Sequence, residues 1–206
     1  MSLAKRILRG VIWNHVGRIL EYGLMYLLSV FIARKLGAGL NGIYALVLSV
    51  VQMLLVFSSF GLEISISSSF PRLLREESRD AAVGALRGLL AMRLASVAFI
   101  GLLFLLLRDF AVRLLSAPPI FVDLLFILTL YFALRGVVSL LISFHIAKLE
   151  TRALALTTVT VRILEVIGVA YLLSSGYGLR EIFFLITATA FVQVVGLSFF
   201  LKDFLF

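Results

Sequence analysis

The chain has 206 residues, of which 62% are hydrophobic and 15% charged, with no cysteine and a formal net charge of +8. A mean hydropathy of +1.14 leaves too little polar surface to cover a water-soluble globule, so lipid is the solvent and a soluble enzyme is excluded. The lack of cysteine rules out a disulfide framework or a thiolate metal site. The positive charge follows from membrane topology and attraction to anionic headgroups, with no nucleic-acid partner needed.

A helix needs ~20 residues to cross ~30 Å of hydrocarbon at 1.5 Å per residue. Six apolar runs meet that length, at 11–33, 41–62, 84–107, 120–144, 153–175 and 182–201. Lys5, Arg6 and Arg9 precede the first run as they would in a signal peptide. The run is nevertheless too long for an h-region, contains Arg18 and Glu21, and ends in Arg34-Lys35 without a small-residue cleavage site. Gly37, Gly39 and Gly42 mark the connector to the second run, and Pro71 with a charge run to Asp80 marks the next. Pro118 and Pro119 open the fourth run, while Gly176 and Gly178 separate the fifth from the sixth. A barrel would instead show ~10-residue segments of alternating polarity. The expected fold class is all-α: a polytopic membrane protein forming a bundle of six transmembrane helices, one domain over residues 1–206.

Threading the runs alternately puts Lys5, Arg6, Arg9, Arg72, Arg75, Arg79, Lys148, Arg152 and Lys202 on the N-terminal side. The opposite side holds only Arg34, Lys35, Arg108, Arg113 and Arg180. The basic excess marks the cytoplasmic face, so both termini are expected inside the cell.

Arg18, Arg87, Arg93, Arg135 and Arg162 fall within or at the edges of runs. Each arginine near the bilayer centre costs about 2.5–3.5 kcal/mol on insertion scales, which requires a polar interior for it to face. Counted from the cytoplasmic ends, Arg18, Arg93, Arg135 and Arg162 lie at a common depth of roughly 10–16 Å. Four helices then present guanidinium groups to one cavity, a geometry suited to gripping a phosphate or pyrophosphate by forked hydrogen bonds. An alternative is purely structural. Arg18–Glu21 and Arg162–Glu165 are both spaced i,i+3 and can neutralise each other on one helix face. Asn14 and Thr158 precede these arginines by four residues, so each polar stripe faces one way. Arg93 and Arg135 lack an acid within their own helical turn, and Glu63 is placed to serve one of them.

Thr189, Gln193 and Gly196 share a face of the last run and are candidates for the cavity wall. Gly84, Gly88, Ala91 and Ala95 form a small-residue stripe suited to close helix contact. His15 and His145 are expected to be interfacial. No metalloprotease, phosphate-loop or nucleophile-elbow pattern occurs in the sequence. The expectation is a protein that is not an enzyme, with no catalytic residues, metal or cofactor. The candidate binding residues are Arg18, Arg93, Arg135, Arg162, Asn14, Glu21, Glu165 and Gln193.

Three segments, Gly10–Leu20, Phe31–Val50 and Ser58–Leu74, resemble the N-terminal part of polysaccharide-biosynthesis flippases. These are the Wzx-type O-antigen and teichuronic-acid-type transporters of the multidrug/oligosaccharidyl-lipid/polysaccharide exporter superfamily. An Ala-Arg-x-Leu-Gly-like turn followed by Gly-x-Tyr is carried here by Ala33, Arg34, Leu36, Gly37, Gly42 and Tyr44. The resemblance implies a plasma (inner) membrane protein that moves a polyprenyl-linked anionic glycan to the outer leaflet through a cationic cavity, with Arg18 matching a basic position on the first helix. It also implies two six-helix lobes, of which this chain supplies one. The second lobe is then expected from a homodimer or a separately encoded partner, unless the chain is a truncated product. A cation-coupled multidrug exporter of the same superfamily and a non-transporting scaffold or inactive half are the alternatives. The former requires unpaired intramembrane carboxylates, whereas here arginines outnumber acids in the spans.

Overall fold

The computed structural model describes residues 3–66, 79–148 and 151–201, and among them every regular element is an α-helix. Helix α1 (Leu3–Ser59) is interrupted by non-helical geometry at Gly37, with φ 73° and ψ 174°. A straight helix would hold Met25 and Gln52 about 40 Å apart, yet both line the same cavity. The chain therefore doubles back at Gly37, and α1 consists of two limbs, residues 3–36 and 38–59. The three-glycine connector expected from the sequence contracts to a single residue. No atom lies within 4 Å of a Cβ built on Gly37, so glycine is required there by its positive φ and not by lack of space.

Five helices are long and apolar enough to cross a membrane. Since the first is doubled at Gly37, its two limbs and the four other helices supply six segments of spanning length among the described residues, against the six runs read in the sequence. The expected second span, 41–62, needs correction. Helix α1 ends at Ser59, Phe60 (φ 44°) and Gly61 (φ 74°) adopt left-handed conformations, and helix resumes over 62–66. Two consecutive left-handed residues cannot be carried inside a right-handed helix. Pro71 and the charged residues up to Ser78 lie outside the described residues, as does Lys202.

Helix α2 (Arg79–Leu106) is followed by the short α3 (Arg108–Leu114), where the sequence suggested a loop. Helix α4 (Pro119–Ala147) carries Pro119 in its first turn, where a missing N–H leaves no bond unmade. Helix α5 (Thr151–Ser174) ends on Gly176 at φ 80°. The Tyr177 N–H donates to the Leu172 carbonyl at 3.0 Å, closing a glycine-dependent C-terminal motif. Helix α6 (Leu179–Phe200) starts with the Gly178 N–H donating to Glu181 Oε2 at 3.0 Å, which satisfies one orphan donor of the first turn.

Helix α4 is the centre of the bundle. Phe121, Leu128, Phe132, Val138, Leu140 and Phe144 are all buried along its length, and it packs against α1, α2, α5 and α6. Close approaches between helices are made at isolated glycines. A Cβ on Gly17 would meet the Ala155 Cβ at 2.8 Å, one on Gly136 would meet Val97 at 2.7 Å, and one on Gly168 would meet Leu185 at 2.6 Å. Such small-residue contacts let helix backbones pack where lipid supplies no hydrophobic drive. The stripe expected to serve this purpose does not. Gly84, Gly88, Ala91 and Ala95 are exposed, and Gly84 and Gly88 have no neighbour within 4 Å of a built Cβ. His145 lies in the last turn of α4, near the helix end where the sequence puts it. It is buried, with Nδ1 2.9 Å from the Leu141 carbonyl.

Replacing Gly17 by Val forces the first limb away from Ala155, whose Cβ has no flexible end that could yield. A loss of about 1–3 kcal/mol is expected from such overpacking, whereas Gly88→Val should stay within about 0.5 kcal/mol. Thermal unfolding of the purified variants in one detergent checks this; equal stability of the two would refute the assignment of the contact.

Candidate functional site

A polar cavity of about 450 Å³ opens between the first limb of α1, α4 and α5, and Asn14, Arg18, Glu21, Gln52, Arg135 and Arg162 are among its lining residues. A second compartment of about 390 Å³ adjoins it, with Ser29, Tyr44, Tyr131 and Glu165 in its wall. Met25, Gln52, Arg135 and Arg162 line both compartments. Behind Arg135, the buried Gln193 of α6 accepts from Arg135 Nη1 at 3.2 Å and donates to Thr158 Oγ1 at 3.4 Å. Seven of the eight candidate residues therefore converge on one region. Thr189 joins Gln193 at this back wall, whereas Gly196 packs against Thr157.

The charges in this region are unequally compensated. Arg162 Nη1 lies 2.6 Å from Glu165 Oε2 on the same helix, and its Nε lies 3.5 Å from Glu21 Oε1 on the first limb. Glu21 thus contacts the arginine of a neighbouring helix, and no contact joins it to Arg18 one turn away among those seen. Arg18 has no ion-pair partner among the described residues, and Arg135 has only the neutral amide of Gln193. Three guanidinium groups face two carboxylates, leaving the region cationic. Guanidinium pairs without acids can grip an anion by charge-assisted, two-pronged hydrogen bonds.

The eighth candidate, Arg93, stands apart, and the expected single layer of four arginines is corrected to three. Arg93 is 1% exposed and sits at the break after Ser59. Its Nη1 donates to the Ser58 carbonyl at 2.6 Å, its Nε to the Gly136 carbonyl at 3.0 Å and its Nη2 to Ser139 Oγ at 3.0 Å. Glu63 Oε1 lies 3.2 Å from Nη2 and also accepts from Ser139 Oγ at 3.0 Å. The reason is the helix break: it frees the Ser58 carbonyl from its helical bond, and Arg93, together with the Ser96 hydroxyl at 3.0 Å, satisfies it. The acid that the sequence offered for Arg93 or Arg135 is therefore taken by Arg93.

Sequence reasoning missed Gln52, Ser29 and Tyr44 as lining residues. Gln52, an amide in the middle of an apolar run, carried a readable signal; Tyr44 was legible as part of the Gly-x-Tyr motif, and Ser29 carried no signal. On the other side of the second limb lies a groove of about 450 Å³ formed with α2 and α3, lined throughout by apolar side chains such as Met53, Phe57, Leu103 and Phe110. The limb thus has one polar and one lipid-like face.

Breaking a buried ion pair by removing one partner costs about 3–5 kcal/mol. Arg93→Gln should therefore lower thermal stability and yield in the membrane by far more than Arg135→Gln, which removes only the bond to Gln193. Comparable stability for the two variants, measured by fluorescence-detected size exclusion after heating, would contradict a structural role for Arg93.

Residues 7–205 match the family described as polysaccharide biosynthesis protein. No curated protein and no solved structure matches the chain significantly. The family match spans nearly the whole sequence, and it agrees with an all-helical, multi-pass membrane fold holding a polar cavity in its interior. The chain is a member of the polysaccharide biosynthesis protein family.

Proposed function

We propose that the chain is one lobe of a flippase that carries a polyprenyl-phosphate-linked oligosaccharide from the cytoplasmic to the outer leaflet of the plasma membrane. The observation that carries this reading is the intramembrane cavity in which Arg18 and Arg135 have no carboxylate partner among the described residues. Holding two such charges in hydrocarbon is costly unless a ligand uses them, and a phosphate or pyrophosphate linkage supplies the matching anion. Asn14, Gln52 and Thr158 offer hydrogen bonds around it. The role is carriage, with no covalent step. A cation-coupled drug exporter would need a cavity carboxylate without a cation partner, whereas Glu21 and Glu165 both sit on Arg162.

The polar face of the cavity is not fully covered by this chain. Of its lining residues, Arg18, Tyr22, Ser29, Ser49 and Gln52 are exposed along the two limbs of α1, and Tyr26, one turn beyond Tyr22, is exposed beside them. A surface of that polarity is poorly matched to lipid. We take it to face a second lobe, either another copy of the chain or a separately encoded partner, with alternating access by movement of one lobe against the other.

Loss of a charge-assisted hydrogen bond is worth about 1.5–3 kcal/mol. Arg135→Gln should therefore weaken binding of a polyprenyl phosphate about 10- to 150-fold, as read by titration of the protein in nanodiscs. Arg135→Lys should recover part of this, because an ammonium keeps the charge but not the planar fork. Undiminished binding in the Arg18→Gln/Arg135→Gln double variant would overturn the anion site.

The chain has no cysteine, so single cysteines report without background. With both termini cytoplasmic, Gly39→Cys should be labelled from outside by a membrane-impermeant maleimide and Lys148→Cys only after permeabilisation. Tyr26→Cys should cross-link to a second lobe in the membrane. Labelling of both positions from the same side would reject the six-crossing topology, and an uncross-linked Tyr26→Cys monomer that still moves cargo would reject the pairing.

A further inference from the structure

We propose that the contact between Glu21 and Arg162 is a gate between the two compartments of the cavity, opened when the cargo's anionic group takes the place of Glu21 on Arg162. The inference rests on the anion-carrier reading above and assigns to that site a hand-over step. Arg162 lines both compartments, whereas Glu21 lines only the first and Glu165, of the two, only the second. The arginine therefore stands at the partition with one carboxylate on each side.

The two carboxylates hold it unequally. Glu165 makes a 2.6 Å hydrogen-bonded pair from the same helix, with its side chain 5% exposed. Glu21 reaches across from the first limb at 3.5 Å, with its side chain 22% exposed to the cavity. A phosphate can chelate a guanidinium edge more closely than this long carboxylate contact does, so the anion displaces Glu21 and leaves Glu165 in place. The contact also ties two helices together. Below it the first limb is fixed to α5, where the Thr151 hydroxyl donates to the Gly10 carbonyl at 3.0 Å and Gly17 abuts Ala155. One turn above it, Met25 already lines both compartments. Releasing Glu21 thus frees the upper part of the limb while its lower part stays anchored.

The displaced carboxylate has a defined destination. Arg18 lies three residues before Glu21 on the same helix, the spacing at which side chains meet, and it lines only the first compartment. The anion moves from Arg18 and Arg135 to Arg135 and Arg162 as Glu21 moves from Arg162 to Arg18. Every guanidinium keeps a counter-charge throughout, so the passage strands no bare charge in the bilayer and needs no proton. Such an exchange has two discrete arrangements, the requirement for a switch that a ligand can bias.

The test uses the full chain in nanodiscs, with polyprenyl phosphate in the lipid as the probe. Spin labels on Leu20→Cys and Leu164→Cys report the separation of the first limb and α5; both positions are exposed and no native cysteine interferes. In the otherwise unaltered protein, the probe should lengthen the label distance. Glu21→Gln should show the longer distance without probe and bind it about five- to tenfold more tightly, having lost the internal competitor. Glu21→Asp, which keeps the charge on a shorter arm, should fall between and guards against a misfolded Gln variant. Arg18→Gln should bind the probe more weakly and retain the short distance when it is bound. A distance in the parent protein that does not respond to bound probe, or Glu21→Gln binding no tighter than the parent, would overturn the gate. Failure of the parent protein itself to bind the probe would overturn the anion-carrier reading instead.

Discussion

A guanidinium group placed in hydrocarbon must be solvated by the protein itself, and this constraint organises the bundle. The chain meets it in three ways. Arg93 is fully enclosed by two backbone carbonyls, a hydroxyl and a carboxylate. Arg162 is held between two glutamates on different helices. Arg135 and Arg18 are turned to a cavity, with one amide between them as protein partner. The last arrangement leaves both guanidinium groups without a carboxylate partner among the described residues.

The enclosure of Arg93 depends on a defect in the second limb. A continuous helix would use the Ser58 carbonyl internally, whereas the left-handed pair Phe60–Gly61 releases it toward α2. Gly136 contributes a carbonyl and also the space, since a side chain there would collide with Val97 and approach the Arg93 guanidinium within 3.5 Å. Break, glycine and arginine thus form one unit joining α1, α2 and α4. That unit lies away from the cavity and gives the wall behind it a fixed frame. The first limb meets α5 through small residues near its start and through the Glu21–Arg162 contact.

The second limb of α1 separates two environments only one helix apart. Gln52 and Leu55 face the polar cavity, while Met53 and Phe57 face the apolar groove beside α2 and α3. This division follows from the helical period alone, because residues one position apart point about 100° from each other.

The sequence by itself determined the all-helical membrane fold, because runs of ~20 apolar residues can satisfy their backbone in lipid only as helices. It also marked polar residues that line or back the cavity: Asn14, Arg18, Glu21, Arg135, Arg162, Glu165 and Gln193 were legible as anomalies within apolar runs, and the structure brings these seven together. Pairing across helices was not legible. That Glu63 serves Arg93 and not Arg135, and that Glu21 reaches Arg162 and not Arg18, depends on rotation and depth of neighbouring helices, which composition and period do not encode. The same holds for the glycines. Gly84 and Gly88 formed the more suggestive stripe, yet close contacts fall at Gly17, Gly136 and Gly168, because contact is decided by which face meets a neighbour. The reversal was legible as the Gly37, Gly39 and Gly42 connector, though not which of the three makes it, because each can take a positive φ and only the packing of the two limbs selects one. The left-handed pair Phe60–Gly61 was not legible, since it lies inside an apolar run and is fixed by contacts with other helices.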